Sequence, residues 1–285
     1  MMTITLEASA KINLWLDVGN KRPDGYHDIE SVMQTVTLTD TLTITKNDGG
    51  AARHISISCS TDELACDESN LCYMAAQAFF SRTGMRRYSV AIHIEKRIPI
   101  AAALAGGSTD AAATLIGLDR LYGTGLTTEE LCGIGKRIGA DVPFCVRRGI
   151  SVTRGIGEIM SPCGRLPDCA ILIACEGERV PTPWAYRMVD EMKERNGQET
   201  MSVDRFTSLL SEKRGIEDIA SGMRNIFEDA VLPHRERARE LFQMMEQTGA
   251  IRVMMSGSGP SVFGVYRDMR SAESAAKKLR ENGIP

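Results

Sequence analysis

Residues 101–113, "AAALAGGSTDAAA", carry one large side chain, Leu104, in thirteen positions. A run so poor in side chains cannot build a core of its own. Its backbone must lie against a neighbour or against a ligand. The run follows Pro99 and leads into "TLIGLDRLYG", whose pattern predicts a helix from about Asp110 to Tyr122, stopped at Gly123. A helix N-terminus presents unpaired N–H groups and partial positive charge. Small residues ahead of it let an anion reach the backbone, and Ser108 and Thr109 add hydroxyls and cap the helix. These features describe a phosphate cradle. They describe equally well an alanine-rich helix start packed tightly on a sheet. No Gly-Lys-Ser/Thr follows, so this is not a Walker A loop, and the G-x-G-x-x-G spacing of a dinucleotide fold is missing.

A second run, "MMSGSGPSVFGV" at 254–265, sets Ser256, Gly257, Ser258, Gly259 and Ser261 between two short strand patterns. Alone it reads as a hairpin turn. With the first loop, one in each half, it fits a nucleotide held across an interdomain cleft. The 285 residues are enough for two domains. "EIMSPCGRLPD", with two prolines and two turn signals, puts the boundary near residue 165, giving domains 1–165 and 166–285.

Between these landmarks strands mix with helices without strict alternation, which predicts an α+β architecture. "TITLEASAKINLWLDV" reads as two strands around a break at Ala8 to Ala10, "KRPDGYHD" as a tight turn, and "SVMQTVTLTDTLTITK" as a hairpin. "HISISC", "YSVAIHIEKRIP", "RGISVTRGIG", "CAILIACEG", "AIRVMM" and "VFGVY" read as strands. "ESNLCYMAAQAFFSRTG" is a helix ended by Gly84, and "TTEELCGIGKRIG" a helix opened by a Thr127/Glu130 capping box. Further helical patterns cover 183–195, 204–212, 217–231, 234–248 and a last segment from Ser271.

The formal net charge is −3 and no basic stripe stands out, which argues against nucleic acid as a partner. No apolar run reaches the ~18 residues of a membrane span, and "MMTITLEASAKINLWLDVG" lacks the basic start and apolar stretch of a signal peptide. The eight cysteines form no CxxC pair and read as reduced core residues of a cytoplasmic protein, not as disulfides or zinc ligands.

Three segments together resemble the GHMP kinase superfamily, small-molecule kinases named for galactose, homoserine, mevalonate and phosphomevalonate. "PIAAALAGGST" stands where that superfamily has a phosphate loop, P-x3-G-L-x-S-S or P-x3-G-L-G-G-G-S-S, and "MSGSGPSVFG" resembles its third motif. Within the superfamily, "SAKINLWLDVGNKRPDGYHDIESVMQTV", "GADVPFCV" and "IFEDAV" resemble the 4-diphosphocytidyl-2-C-methyl-D-erythritol kinases, with "RPDGYH" the most discriminating piece. The chain departs from the loop pattern with Ala103 and Ala105 in place of glycines and Thr109 in place of serine.

The resemblance implies a two-domain fold: an N-terminal ribosomal-S5-domain-2-like domain with a left-handed crossover, a C-terminal ferredoxin-like domain, and an active site in the cleft. It implies ATP-dependent phosphorylation of a tertiary 2-hydroxyl on a cytidine-diphosphate-linked methylerythritol, with Mg2+ carried by the ATP and no protein-built metal cage. Ser108 is a candidate hydroxyl ligand for that Mg2+. Lys11 in "SAKIN" and Asp141 in "GADVPF" take the catalytic positions. By residue type alone, Lys11 reads as a solvated charge and Asp141 as a turn or cap. A cation beside the hydroxyl would lower its pKa and hold the carboxylate that accepts the proton. The phosphate loop assigns Pro99, Ile100, Ala101, Ala102, Ala103, Leu104, Ala105, Gly106, Gly107, Ser108 and Thr109 to ATP, with Asn70, Lys96 and Asp110 at its nucleoside end. Asn13, Tyr26, His27, Thr182, Tyr186, Ser256 and Gly257 are assigned to the substrate, with Tyr26 and Tyr186 sandwiching the cytosine. A monomer or weak homodimer with no membrane partner is implied. The rival readings are a homoserine- or mevalonate-type kinase and a silent binding protein of the same fold.

Overall fold

The structure is a computed structural model that describes residues 1–47, 53–197 and 200–284. In chain order it runs β1 (Met2–Lys21), β2 (His27–Lys46), β3 (Arg53–Cys59), α1 (Leu71–Thr83), β4 (Tyr88–Glu95), α2 (Gly106–Tyr122), α3 (Thr128–Gly135), α4 (Val142–Arg147), β5 (Ile150–Arg154), β6 (Ile159–Pro162) and β7 (Ala170–Ala174). Then follow α5 (Thr182–Asn196), α6 (Asp204–Ser211), α7 (Ile216–Gly222), β8 (Arg224–Asn225), α8 (Ile226–Val231), α9 (Glu236–Glu246), β9 (Arg252–Met255), β10 (Val262–Tyr266) and α10 (Met269–Glu281). No helix of the described residues is long and apolar enough to cross a membrane.

The chain forms two compact units. One holds residues 1–11, 35–100 and 105–149; the other holds 12–34, 101–104 and 150–285. The two units therefore interleave along the chain instead of meeting at a single boundary near 165, because β1 and β2 each belong partly to both.

In the first unit, β4 pairs antiparallel with Thr41–Lys46 of β2 and parallel with β3. Helix α2 packs closely on this sheet at Gly117, where a Cβ would meet Ile44 Cδ1 at 2.5 Å and Leu6 Cδ1 at 2.9 Å. The predicted capping box of α3 is present, with Thr127 Oγ1 accepting from Glu130 N and Glu130 Oε2 accepting from Thr127 N. Gly123 ends α2 and Gly84 ends α1, both in the left-handed region that the stops require.

In the second unit, β5 pairs with Ser31–Gln34 of β2, β6 with β5, and β8 runs parallel beside Trp15 and Leu16 of β1. A second, antiparallel sheet has the order β7-β10-β9. One core cluster there joins Leu241, Met245, Val253, Val262 and Leu279. Another joins Leu16 and Val18 with Val180, Val189, Phe227 and Val231.

Four sequence expectations need correction. The break at Ala8 to Ala10 is absent: β1 is one strand of 20 residues, and Ala8 and Ala10 are fully buried small residues that let neighbours approach. The hairpin at 31–46 is likewise one strand, β2. Its apparent turn residue, Asp40, is fully buried and accepts hydrogen bonds from Arg97 N at 2.5 Å and Ile98 N at 2.8 Å. The single helix at 217–231 is two, since Asn225 is extended and caps a new start by accepting from Phe227 N at 3.0 Å. Helix α2 begins at Gly106, not Asp110.

Candidate active site

The early start of α2 follows from the loop before it. Ala101, Ala103 and Ala105 all sit in the left-handed region, at φ 56°, 57° and 58°. An L-residue there costs ~1–2 kcal/mol relative to its usual conformations. Left-handed residues that alternate along a loop turn successive N–H groups to one side, the arrangement of an anion-binding nest. Ala105 is the residue before α2, and its carbonyl accepts from Thr109 N at 2.9 Å. Ser108 and Thr109 therefore lie inside the first turn and do not cap it. The two glycines are needed for packing: a Cβ on Gly106 would lie 3.2 Å from Ile98 Cγ2, and one on Gly107 3.2 Å from Leu71 Cδ1. Pro99 is exposed and Ile100 half-buried at the approach to the loop.

Still in the first unit, Lys11 is only 5% exposed, buried in β1 instead of solvated. Asp141 precedes α4 in the cap position, yet its side chain makes no cap hydrogen bond. The Cys145 thiol reports on both. Burial pushes it far above the ordinary thiol range, Asp141 pushes it further, and Lys11 and Thr109 draw it back. Lys11, Asp141 and Thr109 thus share one buried neighbour. A Cβ on Gly139 would stand 3.8 Å from Ser108 Oγ, so the "GADVPF" segment lies against the first turn of α2. A cation, a carboxylate free of helix capping and a helix N-terminus are gathered in one unit.

In the second unit the two glycine/serine loops meet. Ser256 Oγ, fully buried, donates to Ala103 O at 3.1 Å. Gly257 has φ 50°, and a Cβ there would crowd Ala103 Cβ at 3.2 Å and Asn13 Oδ1 at 3.5 Å. Asn13 is 2% exposed and donates through Nδ2 to Ser31 Oγ at 2.8 Å. Ala102 and Leu104 turn inward and are buried, while Ala101 is exposed.

The residues assigned to the nucleoside end are engaged within the protein. Lys96 Nζ donates to Asp40 Oδ2 and, at 2.9 Å, to Asp110 Oδ2. The Asp110 carboxyl is raised to about 7, by burial first; Lys96 lowers it and Asp40 raises it again. Asp110 Oδ1 is buried without a hydrogen-bond partner. Asn70 caps α1, accepting from Cys72 N at 2.9 Å and donating to Ala65 O at 2.7 Å.

The other candidate end is built from the turn before β2 and the start of α5. Tyr186 on α5 stacks on His27, with centroids 5.0 Å apart and planes at 23°, and meets Phe227 edge-on at 5.1 Å. His27 is 8% exposed and its Nε2 hydrogen-bonds Asp190 Oδ1 at 2.9 Å. Tyr26, by contrast, is 61% exposed at the turn. Its predecessors explain this: Tyr26 N donates to Asp24 Oδ1, and Tyr26 O accepts from Arg22 N, which fixes the turn and leaves the ring outside. Thr182 is exposed at the first position of α5.

Several residues escaped sequence reasoning: Asp40, Ser31, Asp190, Asn225 and Glu228. Only the last two carried a signal, since Asn225 and Glu228 have capping-box spacing at the start of α8. Among the described residues no group of three or more His, Cys, Asp or Glu could hold a metal.

Residues 70–149 match the family of GHMP kinases N terminal domains, and residues 208–285 that of GHMP kinases C terminal domains. A 4-diphosphocytidyl-2-C-methyl-D-erythritol kinase of Alkaliphilus metalliredigens is 38% identical over 280 residues, covering 98% of this chain and 93% of that protein. One from Gloeobacter violaceus is 40% identical over 282 residues, covering 98% and 91%. A solved 4-(cytidine 5'-diphospho)-2C-methyl-D-erythritol kinase superposes with a TM-score of 0.79 at 31% identity, covering 98% of this chain and 96% of that one. The Methanococcus jannaschii mevalonate kinase shares the fold, with a TM-score of 0.76 at 14% identity over 100% and 96% of the two chains.

Proposed function

The chain belongs to the GHMP kinases and, within them, to the 4-diphosphocytidyl-2-C-methyl-D-erythritol kinases, and on that premise we propose that it transfers the γ-phosphoryl group of ATP to the tertiary 2-hydroxyl of 4-diphosphocytidyl-2-C-methyl-D-erythritol. The observation that carries the reading is the burial of Lys11 in β1 of the same unit in which Asp141, free of helix capping, sits in the segment lying against the first turn of α2. Phosphoryl transfer asks a protein for alignment, charge neutralisation and a place for the hydroxyl proton. Asp141 accepts that proton. Lys11 stabilises the developing alkoxide. A carboxylate is a weak base toward an alcohol, so positioning and charge carry more of the rate than proton abstraction.

The N–H groups of the 101–104 loop and of the α2 start hold the phosphates. Mg2+ arrives on the nucleotide, with the Ser108 hydroxyl as its protein ligand. When bound, that ion neutralises phosphate oxygens. Tyr186 and His27 form the cytidine end, and Asn13 and Thr182 supply polar contacts. The nucleotide elements fall within residues 1–165, and residues 166–285 belong to the second unit, which also takes residues 12–34 and 101–104. All eight cysteines are free, which supports a reducing, cytoplasmic setting, and the chain works as a monomer or weak homodimer.

An ADP-release assay with the cytidine substrate, homoserine and mevalonate side by side tests the reading. Turnover with the cytidine substrate alone is expected. Faster turnover with either of the other two would overturn it.

A further inference from the structure

Asn225 and Glu228 open α8 in the segment "NIFED". At this spacing a glutamate ordinarily turns back to the cap residue's own N–H. Here Glu228 Oε1 accepts instead from Met255 N at 2.8 Å. Asn225 Nδ2 donates to Met255 O at 2.7 Å and to Gly257 O at 2.8 Å. The Asn225 oxygen accepts from Phe227 N at 3.0 Å, and the residue is 3% exposed. Both N–H groups and the oxygen of this amide are engaged, so it has one orientation, fixed by α8. The carbonyls it grips flank Ser256, whose Oγ donates to Ala103 O. A line of hydrogen bonds thus runs from α8 through the 256–257 turn to Ala103. That residue lies in a backbone conformation alanine does not favour, so something outside it must set its peptide.

From these contacts we propose that Asn225, assisted by Glu228, is a positioning residue for phosphoryl transfer. It holds the Ser256 turn and, through Ser256, the Ala103 peptide at the place where the nucleotide's phosphates rest. Asn225 itself touches no substrate. The proposal rests on the reading of residues 101–104 as part of the phosphate loop.

Asn225→Asp tests it. The variant keeps the shape and the acceptor for Phe227 N, and sets an oxygen against two carbonyls that need donors. The KM for ATP should rise by ~10-fold or more, and by more than the KM for the acceptor alcohol. A second pair guards against misfolding of that variant. Glu228→Ala removes the acceptor for Met255 N, whereas Glu228→Gln retains one. The ATP KM should rise in the alanine variant and return close to wild type in the glutamine variant. A role confined to packing would lower melting temperatures and leave the ATP KM unmoved in the folded enzymes; that result overturns the proposal, as does an acceptor KM that moves alone. Calorimetric titration of ATP into the same variants needs no acceptor. A chain that binds ATP but ignores the cytidine substrate would therefore count against the acceptor and not against Asn225.

Discussion

Replacing Ala103 by glycine isolates the strain in the phosphate loop. At φ 57°, alanine carries ~1–2 kcal/mol that glycine does not. Glycine also makes the unfolded chain more disordered, which returns ~0.4–1 kcal/mol of that gain. The net is a stabilisation of ~0–1.5 kcal/mol. For large domains ~1 kcal/mol corresponds to ~2–4 °C, so Ala103→Gly should raise the melting temperature by up to ~6 °C. Ala102→Gly is the internal control. Ala102 is 2% exposed and is not among the left-handed residues. It should lose ~0.5–1 kcal/mol in backbone entropy and a further ~0.8 kcal/mol of methyl burial, lowering the melting temperature. The assay is thermal unfolding of the three proteins without nucleotide, followed by circular dichroism. A melting temperature for Ala103→Gly as low as that of Ala102→Gly would refute the strain argument. The family glycine pattern at 103 and 105 then acquires a conformational reason, and the alanines here are tolerated because the contact with Ser256 holds the loop in place.

Asp141→Asn should leave folding intact and lower kcat by ~10²–10⁴, and Lys11→Met combined with it should not multiply the loss; a variant retaining a third of the wild-type kcat, as about ~0.3-fold, removes the base role. Tyr186→Ala should raise the KM for the cytidine substrate by ~10-fold or more through loss of a stack worth ~1.4 kcal/mol, while the ATP KM stays; because Tyr186 also packs on Phe227, the melting temperature is measured on the same preparation, and an unmoved cytidine KM discards the residue from the site. The Glu228 carboxyl is raised to about 7 by burial, so the folded chain resists its ionisation: the penalty is absent below the ordinary carboxylate range, grows as pH rises toward 7 and is complete above it. Glu228→Gln has no proton to lose, so it should gain ~1–3 kcal/mol on wild type between pH 5 and pH 8, and parallel stability curves across that range would contradict the assignment.

What was legible from residue types was mostly local. Gly84 and Gly123 end helices because the next backbone step is left-handed, and the Thr127/Glu130 pair needs only three residues of separation to act. Asp40 was illegible for the opposite reason. Between threonines it looks like a turn, and only distant partners, the Lys96 ammonium and the N–H groups of Arg97 and Ile98, make its burial tolerable. Lys11 could be located by resemblance, but its burial in β1 is a tertiary property that no pattern around residue 11 encodes. The stack of Tyr186 on His27 was illegible, because it depends on the turn bonds of Arg22 and Asp24 that leave the neighbouring Tyr26 ring exposed.

The interleaving of the two units has a consequence for how the chain is made. Residues 12–34 belong with residues 150–285, yet they leave the ribosome first. At ~5–20 residues per second, the interval between residues 34 and 150 lasts roughly 6–23 s. Throughout it Leu16 and Val18, which end up fully or nearly fully buried against Val180, Val189, Phe227 and Val231, lack those partners. A nascent chain paused in that window offers an apolar strand to any chaperone or to another nascent copy. For the same reason no single cut releases a self-contained half: a fragment ending at residue 149 keeps a strand whose cover it never receives.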